Sequence, residues 1–339
     1  MTHVSVTRPR RIGALALAAA AAVALSACGA SGMLAQSPPT DADVATGTGP
    51  SAGRPAATRS ASASVKADPA LAALVPQEIR DSGELVVDSN PTLPPMSFKA
   101  DDGTVAGVDA DLAKAIAGRL GLRPQVQPYS LDGSEWHVLG RSLGDADISV
   151  SSSVITASSR WNWKNVQYMK TGLRWIVRAG NPTGFNADRL CGHALQYEAN
   201  YDKGGNRRSI AAAHVAQRVK ECAKLGLPEA HANGVHNVDE EATAVTDGSV
   251  EAAVMESPAA EYVVARSNGA LELAGTQWEA TVYGIQLNTG AGDFADLISR
   301  TLTSLADDGT YGRILEKWGL SAYASSEFPV DPSTPEVGE

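Results

Sequence analysis

The feature that most constrains the fold is a repeated alternation of strand-like and helix-like segments between residues 85 and 305. Short, mostly apolar runs such as residues 85–87 and 250–255 alternate with helix-like segments such as residues 107–121 and 209–225. In the first of these helices, large aliphatic residues recur every four positions and so lie on one face. This alternation predicts an α/β fold, with a parallel or mixed sheet and helices on both faces.

Residues 145–160 combine a predicted strand with several hydrogen-bond donors. The strand covers residues 146–150, and a serine-rich turn with Ser151 and Ser152 leads from it to Arg160. Ligands of α/β proteins bind where strands end, and a guanidinium matches a carboxylate with two parallel hydrogen bonds. The stretch therefore predicts a carboxylate receptor. The alternative is a serine-rich surface loop followed by a solvated arginine.

The N-terminus has the pattern of an export signal. Arginines at positions 8, 10 and 11 precede an apolar run, residues 12–25, which is too short for a comfortable membrane span. The run ends in Leu-Ser-Ala-Cys-Gly, which looks like a bacterial lipoprotein signal, in which the cysteine, here Cys28, is lipidated and becomes the mature N-terminus. The alternative is an ordinary secretory signal with an incidental cysteine. Residues 1–27 are predicted to be the signal peptide, and both general and twin-arginine export stay open.

Residues 28–75 are predicted to form a disordered tether. They are rich in Ser, Pro, Ala, Thr and Gly and contain few large apolar residues, so burial cannot offset the entropy lost on ordering. A flexible coil of this length has an r.m.s. span of roughly 35–40 Å, enough to hold a domain off a membrane surface. Residues 323–339 are predicted to be a flexible tail.

Charge and residue spacing argue against two classes of function. The formal net charge is -10, and a negative surface is repelled by nucleic-acid phosphates. The histidines and cysteines have none of the familiar metal-ligand spacings, so no metal or other cofactor is predicted. Cys191 and Cys222 remain as a pair in an exported chain, where disulfides persist. Two free buried thiols are the alternative.

Four segments together resemble the family 3 extracellular solute-binding proteins, the amino-acid receptors of ABC importers. They read G-V-D-A-D-L-A-K-A-I at 107–116, D-I-S-V-S-S-S-V-I-T-A-S-S-R at 147–160, G-S-V-E-A-A-V-M-E at 248–256 and G-T-Y-G-R-I-L-E-K-W-G at 309–319. The resemblance covers most of residues 80–322. It implies a two-lobed, periplasmic-binding-protein-like fold of type II, with a hinge of two crossover strands that closes over a ligand. Lobe 1 would hold residues 76–174 and 287–322, and lobe 2 residues 175–286.

The resemblance also implies roles for individual residues. In the family, the arginine at the place of Arg160 grips the ligand's α-carboxylate, and the carboxylate at the place of Glu256 takes the α-ammonium from the opposite lobe. Residues at the places of Ser151, Ser152 and Val154 add hydroxyl or backbone hydrogen bonds. The alternative for Glu256 is an exposed carboxylate at a helix start. The remaining predicted ligand contacts are Asn90, Leu93, Trp136 and Tyr201, of which the last two could instead be core residues.

Three segments depart from the family pattern. Arg160 comes one residue later than the usual I-T-x-x-R spacing, and Leu93 replaces an aromatic residue that stacks on the ligand in many members. Residues 198–202 read E-A-N-Y-D instead of a glycine and threonine turn that presents N–H groups to the α-carboxylate. These departures favour a variant ligand.

The resulting prediction is a lipid-anchored monomeric receptor on the extracytoplasmic face of the cell membrane. It would bind a polar amino acid or similar small zwitterion and deliver it to an ABC permease. One alternative is a cyclohexadienyl dehydratase-like enzyme on the same fold, with Glu198 or Glu256 as general acid. Another is a ligand-sensing module without transport.

Overall fold

The computed structural model describes residues 65–128, 143, 145–198, 200–201, 207–235 and 237–333. The predicted signal peptide, Cys28, most of the predicted tether, Trp136 and the last residues of the predicted tail lie outside this part of the chain. The helices are α1 (Pro69–Ala72), α2 (Gln77–Ser82), α3 (Val108–Arg119), α4 (Ala157–Asn162), α5 (Ile210–Lys224), α6 (Val238–Asp247), α7 (Ser257–Arg266), α8 (Gly292–Asp307) and α9 (Thr310–Lys317). The strands are β1 (Glu84–Ser89), β2 (Thr92–Leu93), β3 (Ser97–Lys99), β4 (Val105–Ala106), β5 (Arg123–Pro128), β6 (Ile148–Val154), β7 (Trp163–Arg178), β8 (Ala194–Glu198), β9 (Asn200–Tyr201), β10 (Arg207–Arg208), β11 (His231–Val235), β12 (Ala252–Glu256) and β13 (Leu271–Asn288).

An eight-stranded mixed sheet forms the centre of the fold, in the order β11-β8-β12-β7-β13-β6-β1-β5. On one side β5, β1 and β6 are parallel, and on the other β11, β8 and β12 are parallel. The long strands β7 and β13 run antiparallel between the two groups and connect them. This arrangement confirms the predicted α/β fold and its two crossover strands.

The pairing of β7 with β13 is interrupted near its middle. Register shifts occur between Ala274 and Trp278 and between Trp278 and Thr281. Such irregularities bend a strand and increase its twist. The central pair therefore has one part beside β12 and another part beside β6. The interruption lies between these two parts, and the strands bend there.

The helices pack on the sheet through the apolar faces that the sequence predicts. Leu112, Ile116 and Leu120 of α3 and its C-terminal cap are buried in the larger core cluster, which also takes in α8. A smaller cluster contains Trp175 and one face of α5. The structure joins Cys191 and Cys222 in a disulfide, as the sequence predicts, and this ties α5 to the segment that leads into β8.

Both ends of the packed chain extend beyond the predicted limits of the globular part. Leu71 and Val75, at the end of the predicted tether, are buried in the larger cluster because the apolar side of the α1 turn packs there. Beyond residue 323, Phe328 is buried, and the Gln167 N–H donates to the Pro329 carbonyl at 3.0 Å. The first and last packed residues therefore lie outside residues 76–322.

The serine-rich stretch after β6 differs from its prediction. Ser151 and Ser152 continue the strand instead of forming a turn, because the pairing with β13 extends to Val154, opposite Tyr283. Their side chains are buried. The predicted helices at residues 107–121 and 209–225 are confirmed, and β3 and β4 form a hairpin around Gly103. Among the helices of the described residues, none is both long and apolar enough to cross a membrane.

Candidate ligand-binding site

The two groups of parallel strands end on opposite sides of the middle of the central pair. β6 runs parallel to β7 and ends at Val154, which is paired with Tyr283 and through it with Met169 of β7. β12 runs against β7 and ends at Glu256, which is paired with Leu173. At about 3.3 Å per residue, the step from Met169 to Leu173 is roughly 13 Å long. The carboxyl ends of β6 and β12 therefore face each other along this stretch, and strand ends of this kind hold the ligands of α/β proteins.

A buried carboxyl group, Asp109, lies beside the end of β6. The Tyr168 hydroxyl donates to its Oδ1 at 2.6 Å, and the Ser152 hydroxyl donates to its Oδ2 at 2.8 Å. The Ser152 N–H donates to the Tyr168 oxygen at 3.2 Å, which closes the network. Ser152 has a φ of 51°, which is uncommon for a residue other than glycine. Burial raises the pKa of Asp109 to about 7, although the hydrogen bonds from Tyr168 and Ser152 lower it.

Two tyrosines connect this network to Glu256. The rings of Tyr168 and Tyr283 are stacked, with 6.1 Å between their centroids and an angle of 26° between their planes. The Tyr283 hydroxyl donates to Glu256. Burial raises the pKa of Glu256 well above its ordinary value, and the charges of Glu198 and Asp109 raise it further, while the bond from Tyr283 lowers it. Glu256 therefore lies close enough to both strand groups to be affected by charges on each.

Two more carboxyl groups lie at the same end of the second strand group. Glu198 ends β8 and is paired with Val235, the last residue of β11, and Glu241 is on the first turn of α6, which follows β11. Glu241 is completely buried, and neither of its carboxylate oxygens has a hydrogen-bond partner within the described chain. Burial raises the pKa of Glu198 to about 7. Burial and the charges of Glu198 and Glu240 raise the pKa of Glu241 well above its ordinary value.

Arg160 lies on α4 and contacts the C-terminal segment. Its Nη1 donates to the Pro332 carbonyl at 3.4 Å. The I-T-x-x-R spacing would place the arginine at position 159, but Ser159 and Thr156 cap this helix reciprocally, with N–H to Oγ distances of 2.9 and 3.0 Å. Successive helix residues are about 100° apart around the axis. The guanidinium therefore leaves the helix in a different direction from the one that the family spacing gives.

The other predicted residues on β6 lie at its carboxyl end, which faces the carboxyl end of β12. Val154 is partly buried and packs against both core clusters, so it lies at the boundary between them. The Ser151 hydroxyl is buried and donates to the Asp88 carbonyl at 3.3 Å. Ser152 is part of the Asp109 network. The structure therefore brings these three residues together beside the carboxyl end of β1.

The residues predicted to form the pocket walls are less closely grouped. Asn90 follows β1, and its side-chain oxygen accepts a hydrogen bond from Thr92 at 2.9 Å. Leu93 is buried in the larger core cluster. Tyr201 lies in β9, and Trp136 is outside the described residues. The roles of these four residues in ligand binding stay predictions.

Sequence reasoning did not assign Asp109, Tyr168, Tyr283 or Glu241 to the site. Asp109 lies between the apolar residues Val108 and Ala110, both buried, and this apolar setting is a signal that could have found it. The tyrosines lie on separate strands, and only the pairing of β7 with β13 brings them together. In the described part of the chain, no group of three or more His, Cys, Asp or Glu side chains is arranged to hold a metal ion.

Comparison with known proteins identifies the family. The profile of the bacterial extracellular solute-binding proteins, family 3, matches residues 85–321. The chain belongs to this family. It is 27% identical over 255 residues to the arginine-binding protein ArgT of Corynebacterium glutamicum, covering 74% of this chain and 79% of that one. It is 25% identical over 250 residues to the L-cystine-binding protein TcyJ of Escherichia coli strain K12, covering 71% and 84%.

A solved structure gives the same result for the fold. An ancestral arginine-binding protein bound to arginine superposes with a TM-score of 0.55 at 27% identity, covering 70% of this chain and 98% of that one. The structural neighbours of this solute-binding protein are two-lobed amino-acid-binding proteins of the periplasmic-binding-protein type. The relatives named above are binding proteins, which supports a receptor role.

Replacing Asp109 with asparagine is expected to flatten the pH dependence of stability. The folded-state pKa of about 7 lies above the ordinary 3.8, so between these values the unfolded chain releases a proton that the folded chain keeps. The contribution of protonated Asp109 to the free energy of unfolding is therefore fully present below pH 4 and is lost as the pH rises to about 7. At 1.36 kcal/mol per pKa unit, the loss is about 4 kcal/mol. Urea denaturation at pH 5 and pH 8 measures the part of this loss above pH 5, about 2.7 kcal/mol.

Asparagine has nearly the same shape and no charge, so the part of the pH dependence due to Asp109 disappears in the variant. Tyr168, Ser152 and the nearby Glu256 stay in place and contribute to both proteins. The control is Asp296→Asn, which removes an exposed aspartate of α8. Equal pH slopes for the wild type and Asp109→Asn would contradict the prediction.

Proposed function

We propose that this chain is a receptor that binds a polar amino acid or a similar small zwitterion between the two strand groups and delivers it to an ABC importer. The observation that carries the proposal is that the carboxyl ends of β6 and β12 face each other, with Glu256 at the end of β12. Glu256 would accept the ammonium group of the solute. The end of β6, with Ser151, Ser152 and Val154, would meet the rest of it. The named relatives bind arginine and L-cystine, which gives two ligands to test first.

The contacts of Glu256 support this role. In the structure its carboxyl group accepts a hydrogen bond from Tyr283, and the charges that act on it are negative. A buried carboxyl group in such surroundings is stabilised when a cation arrives, because opposite charges favour the ionised form. The ligand would therefore bring a positive charge to these carboxyl groups, and the two strand groups would both contact it on closure.

A ligand panel tests the proposal. Thermal unfolding in the presence of each common amino acid, with L-arginine and L-cystine included, should show a higher melting temperature for at least one. A ligand at 100 times its Kd stabilises the folded protein by about 2.7 kcal/mol, which corresponds to a shift of several degrees for a domain of this size. If no member of the panel changes the melting temperature, the amino-acid receptor is the wrong assignment.

We also propose that Cys28 carries a lipid and anchors the chain on the extracytoplasmic face of the membrane, as a monomer. The Leu-Ser-Ala-Cys-Gly pattern directly after the apolar run supports this proposal. In the source cell, Cys28→Ala should move the protein from the membrane fraction to the medium, whereas wild-type protein stays with the membrane. Retention of the variant in the membrane fraction would argue against the anchor.

A second candidate function is favoured by the raised pKa values. Glu198, with a pKa of about 7, would be protonated often enough at neutral pH to act as a general acid, and burial raises the pKa of Glu256 in the same direction. This is the property that a cyclohexadienyl dehydratase-like enzyme needs near its leaving hydroxyl. Incubation with a cyclohexadienol substrate, followed by absorbance of the aromatic product, tests it. A rate no higher than that of the buffer blank would exclude the dehydratase and favour the receptor. A separate test distinguishes transport from sensing: a strain that lacks the gene should lose uptake of the solute if the protein serves an importer.

A further inference from the structure

The second strand group presents three carboxyl groups at one edge. β11, β8 and β12 are adjacent and parallel, so their carboxyl ends lie side by side. Glu198 and Glu256 are the last residues of β8 and β12, and Glu241 is on the first turn of the helix that follows β11. The three side chains therefore lie at one edge of the sheet, each at or after the end of one of three adjacent strands. We refer to Glu198, Glu241 and Glu256 as the acidic edge.

Glu241 is the member that a purely structural role does not explain. It is completely buried, yet neither of its carboxylate oxygens has a hydrogen-bond partner among the described residues. A buried polar group without a partner costs about 1–3 kcal/mol, and more if it is charged. Its neighbours in charge are Glu198 and Glu240, which repel it. Folding alone therefore gains nothing from a carboxyl group at this position, whereas a bound cation would satisfy it.

Within the described part of the chain, the charges that raise the pKa values of Glu241 and Glu256 are those of Glu198, Glu240 and Asp109, which are all negative. Glu256 is affected by Glu198 and by Asp109 from the other strand group, and the partners that lower its pKa or that of Asp109 are neutral hydroxyl groups. Arg160, the cation that the sequence predicts for this site, donates to the Pro332 carbonyl at 3.4 Å. One ammonium group on Glu256 would leave Glu198 and Glu241 uncompensated. A second cationic group on the same solute would compensate them.

We propose that the solute carries two cationic groups, one bound by Glu256 and the other by Glu198 together with Glu241, so that Glu198 and Glu241 select for a cationic side chain. The inference rests on the proposed receptor function and specifies its ligand class. The shared chemistry is an ammonium or guanidinium group on a short chain that ends in a second ammonium group. Basic amino acids and decarboxylated amines both supply it.

Calorimetric titration of the full chain with five probes tests the ligand class. L-arginine and L-lysine are basic amino acids, agmatine is arginine without its carboxylate, and L-glutamine and L-glutamate are the neutral and acidic comparisons. At least one dicationic probe should bind 10-fold or more tightly than L-glutamine, and L-glutamate should bind most weakly. If the Kd of agmatine lies within 10-fold of that of L-arginine, the amine is a sufficient ligand. If L-arginine binds and agmatine does not, the ligand is the amino acid. Both results support the two-cation site. Tighter binding of L-glutamine or L-glutamate than of every dicationic probe overturns it.

Two variants test the residues. Glu198→Gln and Glu241→Gln keep the side-chain shape. Each should weaken the affinity for the dicationic probe by 10-fold or more and change the affinity for L-glutamine less than threefold. Glu229→Gln is the control, since it removes an exposed carboxylate before β11, and it should change neither affinity more than threefold. Unchanged binding of the dicationic probe by both Glu198→Gln and Glu241→Gln overturns the inference. Melting temperatures establish that each variant is folded.

These experiments separate the inference from the function on which it rests. If a neutral amino acid binds tightly and the dicationic probes do not, the receptor function stands and the two-cation site is wrong. If none of the probes and no amino acid of the thermal panel binds, the receptor function itself fails.

Discussion

Replacing Glu256 with glutamine is expected to weaken ligand binding by about 100-fold. The carboxylate would form a charge-assisted hydrogen bond with the ligand's ammonium group, and removing one partner of a buried charge pair costs about 2–5 kcal/mol because the other charge is left unpaired. Each 1.4 kcal/mol is a factor of 10 in Kd. Glutamine can still accept the hydrogen bond from Tyr283, so the local structure has no reason to change. Titration calorimetry with the strongest ligand of the panel gives the Kd values.

Two further variants give this measurement its controls. Glu229→Gln removes an exposed carboxylate before β11 and should leave the Kd within threefold of the wild type. Arg160→Ala should also leave it within threefold, because the guanidinium bonds to the Pro332 carbonyl in the structure. A loss of binding in Arg160→Ala would restore Arg160 as the carboxylate anchor that the family pattern implies. Wild-type affinity in Glu256→Gln would remove Glu256 from the site.

Removing the disulfide is expected to cost about 3–4 kcal/mol of folding stability. Cys191 and Cys222 are 31 residues apart in the sequence, and closing a loop of that length lowers the entropy of the unfolded chain by this amount in the chain-entropy model. The Cys191→Ala/Cys222→Ala variant should therefore unfold roughly 10 °C below the wild type, at 2–4 °C per kcal/mol for a domain of this size. Thermal and urea unfolding measure the difference.

Reductant provides the control for the disulfide. Dithiothreitol should lower the melting temperature of the wild type toward that of the double variant and should leave the double variant unchanged. A difference below about 1 kcal/mol between the two proteins would show that the bond is not a main source of stability. Two alkylatable thiols in the unreduced, unfolded wild type would show that the bond does not form.

The parts of the fold that depend on local pattern were predictable from the sequence. The four-residue repeat of Leu112, Ile116 and Leu120 gave α3, and the apolar run before Glu256 gave β12. The lengths of β7 and β13 were not predictable in this way, because glycine and polar residues interrupt their apolar pattern and pairing with each other extends them. The packing of Phe328 was missed for a similar reason, since a single aromatic residue in a polar segment has no periodicity.

The site was predictable where one strand end carries the residue, and less so where several elements meet. The position of Glu256 at the end of β12 was predictable from the apolar run before it, whereas its role as the ammonium acceptor is implied by the resemblance to the family and stays a prediction. The Asp109 network joins residues that are 43 and 59 positions apart, and no local spacing indicates that they meet. Arg160 shows the limit of a spacing argument, because one inserted residue on a helix rotates the side chain by about 100°. Glu241 was not predicted because its burial depends on how α6 packs.

The most direct test of this account is a crystal structure of the protein with the strongest ligand of the titration panel. The account predicts that a cationic group of the ligand lies within hydrogen-bonding distance, about 2.7–3.2 Å, of the Glu256 carboxylate. The end of β6 at Ser152 and Val154 should contact the same molecule. A ligand bound elsewhere, with Glu256 and the end of β6 both free of contact with it, would contradict the account.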